Sequence, residues 1–221
     1  MAPRIRFPPV RLATTLIVAA AAVTISGTAA EPPVSRPPTV PPAALLPAEA
    51  LPGRPAGRDV FDITTALSTS DHSKADGCTG IVHGRLLGPE TTAGQGFQTA
   101  VPGGQLSEVV ARTPHPTDLA AWTAQVRRCA QVTVDDEDLP TVFSALTLTT
   151  PPAVPGAQTL SYQQVLTLPG QPAGPPGLRL RTVAIAADDV LLVLRDAGAT
   201  ALDLDSMAVA AWQHALPRLG R

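Results

Sequence analysis

Hydrophobic and polar positions divide the chain into three regimes. An apolar run covers residues 12–25, a proline-rich stretch covers 31–58, and regular alternation starts only near residue 60. Residues 60–67 read as a possible first strand, and the polar stretch 68–77 as a loop leading to Cys78. Residues 96–101 and 105–112 alternate as two strands joined around Pro102-Gly103-Gly104, which has the residues that tight turns require. The period then changes. Leu119, Trp122, Val126 and Cys129 recur at the three-to-four spacing of one helix face. Thr117 can cap that helix; His115 as cap, with Pro116 at the first helical position, is the other reading.

Four strand candidates follow at 131–134, 141–149, 158–168 and 178–186. The third alternates best, with Leu160, Tyr162, Leu166 and Leu168 on one face. A fifth, 190–195, comes after the polar turn Asp188-Asp189, so the last two strands should form a hairpin. A closing helix over about 204–216 buries a stripe of Leu204, Met207, Ala208, Ala211, Ala215 and Leu219. Asp203 or Asp205 stands where an N-cap and the helix dipole favour a carboxylate. Strands joined consecutively by short turns, with two main helices, predict an α+β domain built on an antiparallel meander.

Only 3% of the 221 residues are aromatic, so the core has to be closed mostly by aliphatic side chains. A single lysine (Lys74), no asparagine and 25 prolines point to a GC-rich coding sequence, which reports codon usage and not activity. The first thirty residues carry Arg4, Arg6 and Arg11 and no acid, then the apolar run, then Ser26-Gly27-Thr28-Ala29-Ala30. That order is the order of a secretory signal peptide, with cleavage expected after Ala30. The apolar run is shorter than the roughly 20 residues a membrane-spanning helix needs, although an uncleaved signal anchor is the competing reading. Removing three of the 16 basic residues leaves 13 against 18 acidic ones, a net charge of −5. Such a chain has no electrostatic reason to coat nucleic acid or anionic lipid. Residues 31–58 are expected to be a stiff spacer, because proline fixes φ and lacks the amide donor. A disordered tail is the alternative. Within this stretch, Leu45, Leu46 and Leu51 leave room for a short docked turn or helix. The folded domain is then expected over 59–221.

Candidate chemistry is sparse. Cys78 and Cys129 are an even pair in an exported chain and predict one structural disulfide. Closing about fifty residues is worth roughly 4 kcal/mol in the chain-entropy model. His72, His83, His115 and His214, with Asp71 and the acidic run Asp135-Asp136-Glu137-Asp138, have neither zincin nor EF-hand spacing. No metal and no cofactor are expected. Ser70-Asp71-His72-Ser73 holds the residue types of a triad without a nucleophile elbow. Gly94-Gln95-Gly96 is too short for a phosphate cradle. Trp122 and Trp212 fall among apolar helix neighbours and are expected in the core. Arg179 and Arg181 share a strand face with Val183 and Ile185, where planar donors beside apolar side chains suit a ligand cleft. An exposed strand end, or a bulge near Thr182, would remove that role.

The order of features resembles the extracellular sensor domain of PknH-type receptor serine/threonine kinases and its stand-alone secreted relatives. The resemblance is carried by Leu45-Leu46-Pro47-Ala48-Glu49 before the first strand and by Asp76-Gly77-Cys78. It continues in the glycine-rich strand pair, in Pro116-Thr117-Asp118-Leu119-Ala120, and in Cys129-Ala130-Gln131-Val132 at the helix end. Two departures stand out: Val126-Arg127-Arg128 replaces the family's tryptophan before the helix cysteine, and the last hairpin lacks a second disulfide. The resemblance implies an antiparallel sheet with helices and a cleft suited to a ligand. It carries no kinase domain with it, so any sensing would run through a separate partner. The expected function is an extracytoplasmic, non-enzymatic sensor-type domain that binds a small ligand. The alternatives are an interaction module docking a cell-envelope protein and, third, an exported hydrolase.

Overall fold

The computed structural model describes residues 39–55, 57–63, 75, 77–82, 86–87, 91, 93–135, 141–168 and 177–221. The expected leader and its expected cleavage site, His72, His83, Lys74, the Ser70–Ser73 stretch and Asp136–Asp138 lie outside these residues.

Two antiparallel meanders share one sheet. The first comprises β1 (Asp59–Asp62), β2 (Ala93–Val101) and β3 (Gly104–Arg112). The chain then crosses through α2 (Leu119–Arg128) to the far edge. From there it returns through β4 (Gln131–Val134), β5 (Val142–Leu148), β6 (Gln158–Thr167), β7 (Leu178–Ala187) and β8 (Val190–Gly198). β8 pairs with β3 along its length, from Gly104 against Gly198 to Arg112 against Val190, and so closes the two meanders into one sheet. Among the described residues the strand order is β1-β2-β3-β8-β7-β6-β5-β4. A short helix, α1 (Thr79–Val82), precedes β2, and α3 (Leu204–Ala215) closes the domain. This is the expected α+β architecture with two main helices and an antiparallel sheet.

Helices cover opposite faces. On the α3 face, Phe97, Leu106, Val110, Val183, Ile185 and Leu194 from the sheet meet Leu204, Ala208, Ala211 and Trp212. On the α2 face, Leu146, Leu160, Tyr162, Ala184, Leu191 and Val193 meet Leu119, Val126 and the α1 residues Ile81 and Val82. Because β7 and β8 lie between both layers, their buried stretches Val183–Ala186 and Val190–Leu194 are continuously apolar instead of alternating. Trp122 is partly buried against the α2-face core, and Trp212, on α3 itself, is buried in the α3-face core.

Local chemistry sets the ends of these elements. Asp118, and neither Thr117 nor His115, caps α2 by accepting from the Ala121 amide at 2.9 Å. A carboxylate there meets both the free amide and the positive end of the dipole. Asp203 caps α3 in the same way through the Ser206 amide. The Ser206 hydroxyl and amide hold its carboxyl below the usual range. At the β2–β3 turn Gly103 has φ +85° and Gly104 lies so close to Ala197 O that a Cβ would sit 1.9 Å from it, so both glycines are required. In β2, a Cβ at Gly96 would meet the Phe61 ring at 2.7 Å, so that glycine makes room for β1 and not for a phosphate.

The packed part of the chain reaches further back than the expected boundary at 59. Val40, Ala44, Leu45, Leu46 and Leu51 are each at most 5% exposed and join the α3-face core. Two 3-10 turns, Pro42–Ala44 and Ala48–Ala50, shape this strap. Each turn follows a proline in extended geometry, Pro41 and Pro47, so the prolines pre-set the path of a docked segment. His214 of α3 meets Ala43 O at 3.1 Å and ties strap to helix.

Candidate ligand-binding site

The α3 face is unevenly covered. α3 lies over β7 and β8, and the strap lies over β2 and β3. Further out, on β4, β5 and β6, the same face is exposed. Here two cross-strand rows run side by side: Thr133-Phe143-Thr167, and Gln131-Ala145-Val165. Phe143 is 48% exposed, Val165 is half-buried and the other four side chains are exposed. A groove of about 430 Å³ lies over these six residues. Small Ala145 and the Phe143 ring are among its lining residues. A smaller hollow of about 160 Å³ beside Trp212 has Asp188 and Arg221 at its rim, and these two are paired with each other at 3.4 Å.

Register places the two predicted arginines beside the groove. Arg179 stands opposite Val165 and is exposed; Arg181 stands opposite Gln163. The pairing runs through Thr182 without a bulge, so both arginines do share the face of Val183 and Ile185. Their roles separate, however. Arg181 Nη1 donates to Leu202 O at 3.1 Å, and its amide donates to Asp196 Oδ1 at 3.2 Å. Asp196, 2% exposed, also accepts from the Thr200 hydroxyl at 2.7 Å. Arg181 therefore fastens the loop entering α3, while Arg179 flanks the groove.

The sequence reading missed the polar groups that hold the covered parts. Glu108, fully buried on the α3 face, accepts twice from the Leu46 amide, at 3.1 and 3.3 Å. Arg58 donates to Leu46 O and stands 5.3 Å over the Phe97 ring. Burial pushes the Glu108 carboxyl up to about 7, against the opposing pull of the Leu46 amide and Arg58. On the α2 face, Gln164 donates to Val82 O at 2.9 Å and to the Ser144 hydroxyl at 3.0 Å, and accepts from Arg195 at 3.1 Å. Gln164 thus takes the buried row that the alternation assigned to Leu160, Tyr162, Leu166 and Leu168, and Leu168 is 42% exposed. Next to it the buried hydroxyls of Tyr162 and Thr182 lie side by side, outside hydrogen-bond geometry, and burial pushes the Tyr162 phenol up.

Cys78 and Cys129 form the expected disulfide, with Cα atoms 5.8 Å apart. It joins the start of α1 to the end of α2, immediately before β4. Neither His115 nor His214 joins a metal-ligand cluster; among the described residues no group of three or more potential ligands converges. No described helix is long and apolar enough to cross a membrane.

No protein-family model matches the chain, and no curated protein matches it. Solved structures that it is similar to include an uncharacterized protein from Mycobacterium smegmatis. That likeness has 12% identity and a TM-score of 0.48, and covers 74% of this chain and 90% of the other. The extracellular domain of PknH from Mycobacterium tuberculosis is also similar, at 14% identity and a TM-score of 0.47, over 76% of this chain and 84% of the other.

Proposed function

We propose that this protein is an exported, non-enzymatic sensor-type domain that takes a small ligand in the groove over β4, β5 and β6. The observation that carries the reading is the uncovered half of the α3 face. A sheet face that is apolar and sealed over β7 and β8 becomes a grooved surface of mixed polarity over the next three strands. Arg179 stands at its border. Binding sites are concave, partly apolar and fixed by a few polar groups. The leader pattern, the disulfide and the motif order described above support an extracytoplasmic setting.

The test is a pair of mass spectra of the full chain, produced with its leader in a bacterial export host. The expected denatured mass begins after Ala30 and is two protons below the reduced form. The native spectrum carries a reproducible small-molecule adduct that weakens when Arg179 is replaced by Glu. A native mass that stays ligand-free after incubation with host extract would overturn the small-ligand reading. Turnover of any substrate, abolished by one point change, would overturn the non-enzymatic one. A second reading, docking of a cell-envelope protein on the same uncovered face, would show as a ligand-free mass with a stable protein partner.

A further inference from the structure

We infer that the groove binds an uncharged saccharide, with Phe143 as the platform for one sugar ring. The inference deepens the reading of the groove as a ligand site and rests on it.

The argument is one of chemical complementarity. Neither the six side chains of the two rows nor Val132 and Ser144 behind them is acidic or basic. What they offer is one aromatic ring, one carboxamide, hydroxyls and small aliphatic surface. A carboxamide and two hydroxyls give donors and acceptors in both directions, which is what a ligand made of hydroxyl groups requires. Among the described residues, a carboxylate or phosphate ligand would find one adjacent cation, Arg179, and no arginine fork inside the groove. An acyl chain would have to desolvate Gln131, Thr133 and Thr167 without replacing their hydrogen bonds to water.

Register supplies the geometry. Phe143 has Thr133 directly across on β4 and Thr167 directly across on β6. Adjacent strands lie about 4.8 Å apart, so the two threonines flank Phe143 from the neighbouring strands, one on each side. A pyranose laid with its C–H face on the phenyl ring directs its equatorial hydroxyls outward toward those threonines. The next row leaves the hollow over Ala145, with Gln131 on one side and Val165 on the other. A second sugar unit extends there. Of the large hydrophobic side chains left exposed among the described residues, Val60, Phe143, Leu168 and Leu178, only Phe143 is aromatic, and it is the one that lines this groove.

The experiment titrates the isotope-labelled full chain with maltohexaose, cellohexaose, laminarihexaose and chitohexaose at millimolar concentration, reading amide shifts. Saturable shifts confined to 131–133, 143–145 and 165–167 are expected with at least one of them. Phe143→Ala weakens that binding by at least about tenfold, a difference well outside titration error. Gln131→Ala weakens it less, and both variants keep the spectrum of a folded sheet elsewhere. No saturable shift with any of the four sugars overturns the inference, as does binding that Phe143→Ala leaves unchanged. A lipid or peptide in the native mass spectrum, displacing shifts in this groove, overturns the saccharide and leaves the ligand-binding reading standing. A chain with no ligand of any class ends both.

Discussion

One sheet face is treated in two opposite ways along its width. Over β2, β3, β8 and β7 it is sealed by α3 and the strap, and one carboxyl left inside, Glu108, accepts from the Leu46 amide while Arg58 donates to Leu46 O. Over β4, β5 and β6 it is unsealed, and Gln131, Thr133 and Thr167 keep their hydration. The difference shows that burial is decided here by which segments return to the sheet, not by strand polarity alone. Phe143 is as apolar as Phe97, yet Phe97 is fully buried and Phe143 is half exposed.

The largest effect should come from the anchor beneath the open half. β4 starts two residues after Cys129, and the disulfide to Cys78 spans a separation of 51 residues. Replacing both cysteines by serine is expected to lower unfolding free energy by about 4 kcal/mol on chain-entropy grounds. Urea unfolding checks it. A loss close to zero would mean that the open half is held by helix and sheet packing alone.

Next comes the seal. Leu45 is 1% exposed within the α3-face core, so Leu45→Ala should cost about 3 kcal/mol, in the usual range for a truncated core leucine. Deleting residues 31–38, ahead of the strap, should leave stability unchanged. Deleting the whole of 31–58 would also remove the buried Val40, Ala44, Leu45, Leu46 and Leu51 and should cost more than the single change. If Leu45→Ala were neutral, the strap would not belong to the folded unit and both halves would be open.

Glu108 sharpens the comparison through pH. Its carboxyl is pushed from an ordinary 4.5 up to about 7. The native state therefore keeps a proton that the unfolded chain releases, and the stability this carboxyl contributes is greatest below about pH 4.5. It falls as pH rises toward 7 and levels off above that, a loss of about 3 kcal/mol by linkage. Glu108→Gln keeps an acceptor for the Leu46 amide and removes the titration. Unfolding curves of wild type and variant should separate between pH 4.5 and 7, with the variant the more stable at pH 8. Parallel curves across that range would mean that the carboxyl is already ionised within the seal.

Much of this fold is legible in the sequence because short-range signals carry it. Turn residues at Pro102-Gly103-Gly104 and Asp188-Asp189, the helix period after 118 and the cysteine pair each act within a few residues or through composition. The helix N-cap is read as Thr117, or His115 before Pro116, because both precede the apolar period; only geometry selects Asp118. The buried roles of Glu108 and Gln164 were not legible, since their partners, Leu46 and Val82, are 62 and 82 residues away. The strap shows the same limit: its leucines stood out, but the prolines around them speak equally for an extended tail. Arg179 and Arg181 were placed on the correct face. What separates them is the approach of Leu202 O, which no strand pattern encodes.

The smallest expected effect tests the open half most directly. Phe143 contributes little to the core, so Phe143→Thr should change unfolding free energy by less than about 0.5 kcal/mol, as for ordinary surface substitutions. Threonine also suits an exposed strand position. The same change at Phe97 would open a cavity and cost several kcal/mol, although both are strand residues on one face of one sheet. Urea unfolding of the two variants side by side reads this asymmetry. If Phe143→Thr proved as costly as Phe97→Thr, the ring would be sealed in solution by another part of the chain or by a second copy. The groove would then be an interior seam, and its exposed polar rows would need a different explanation from ligand contact. A near-zero cost means that this ring is kept at the surface with no structural return.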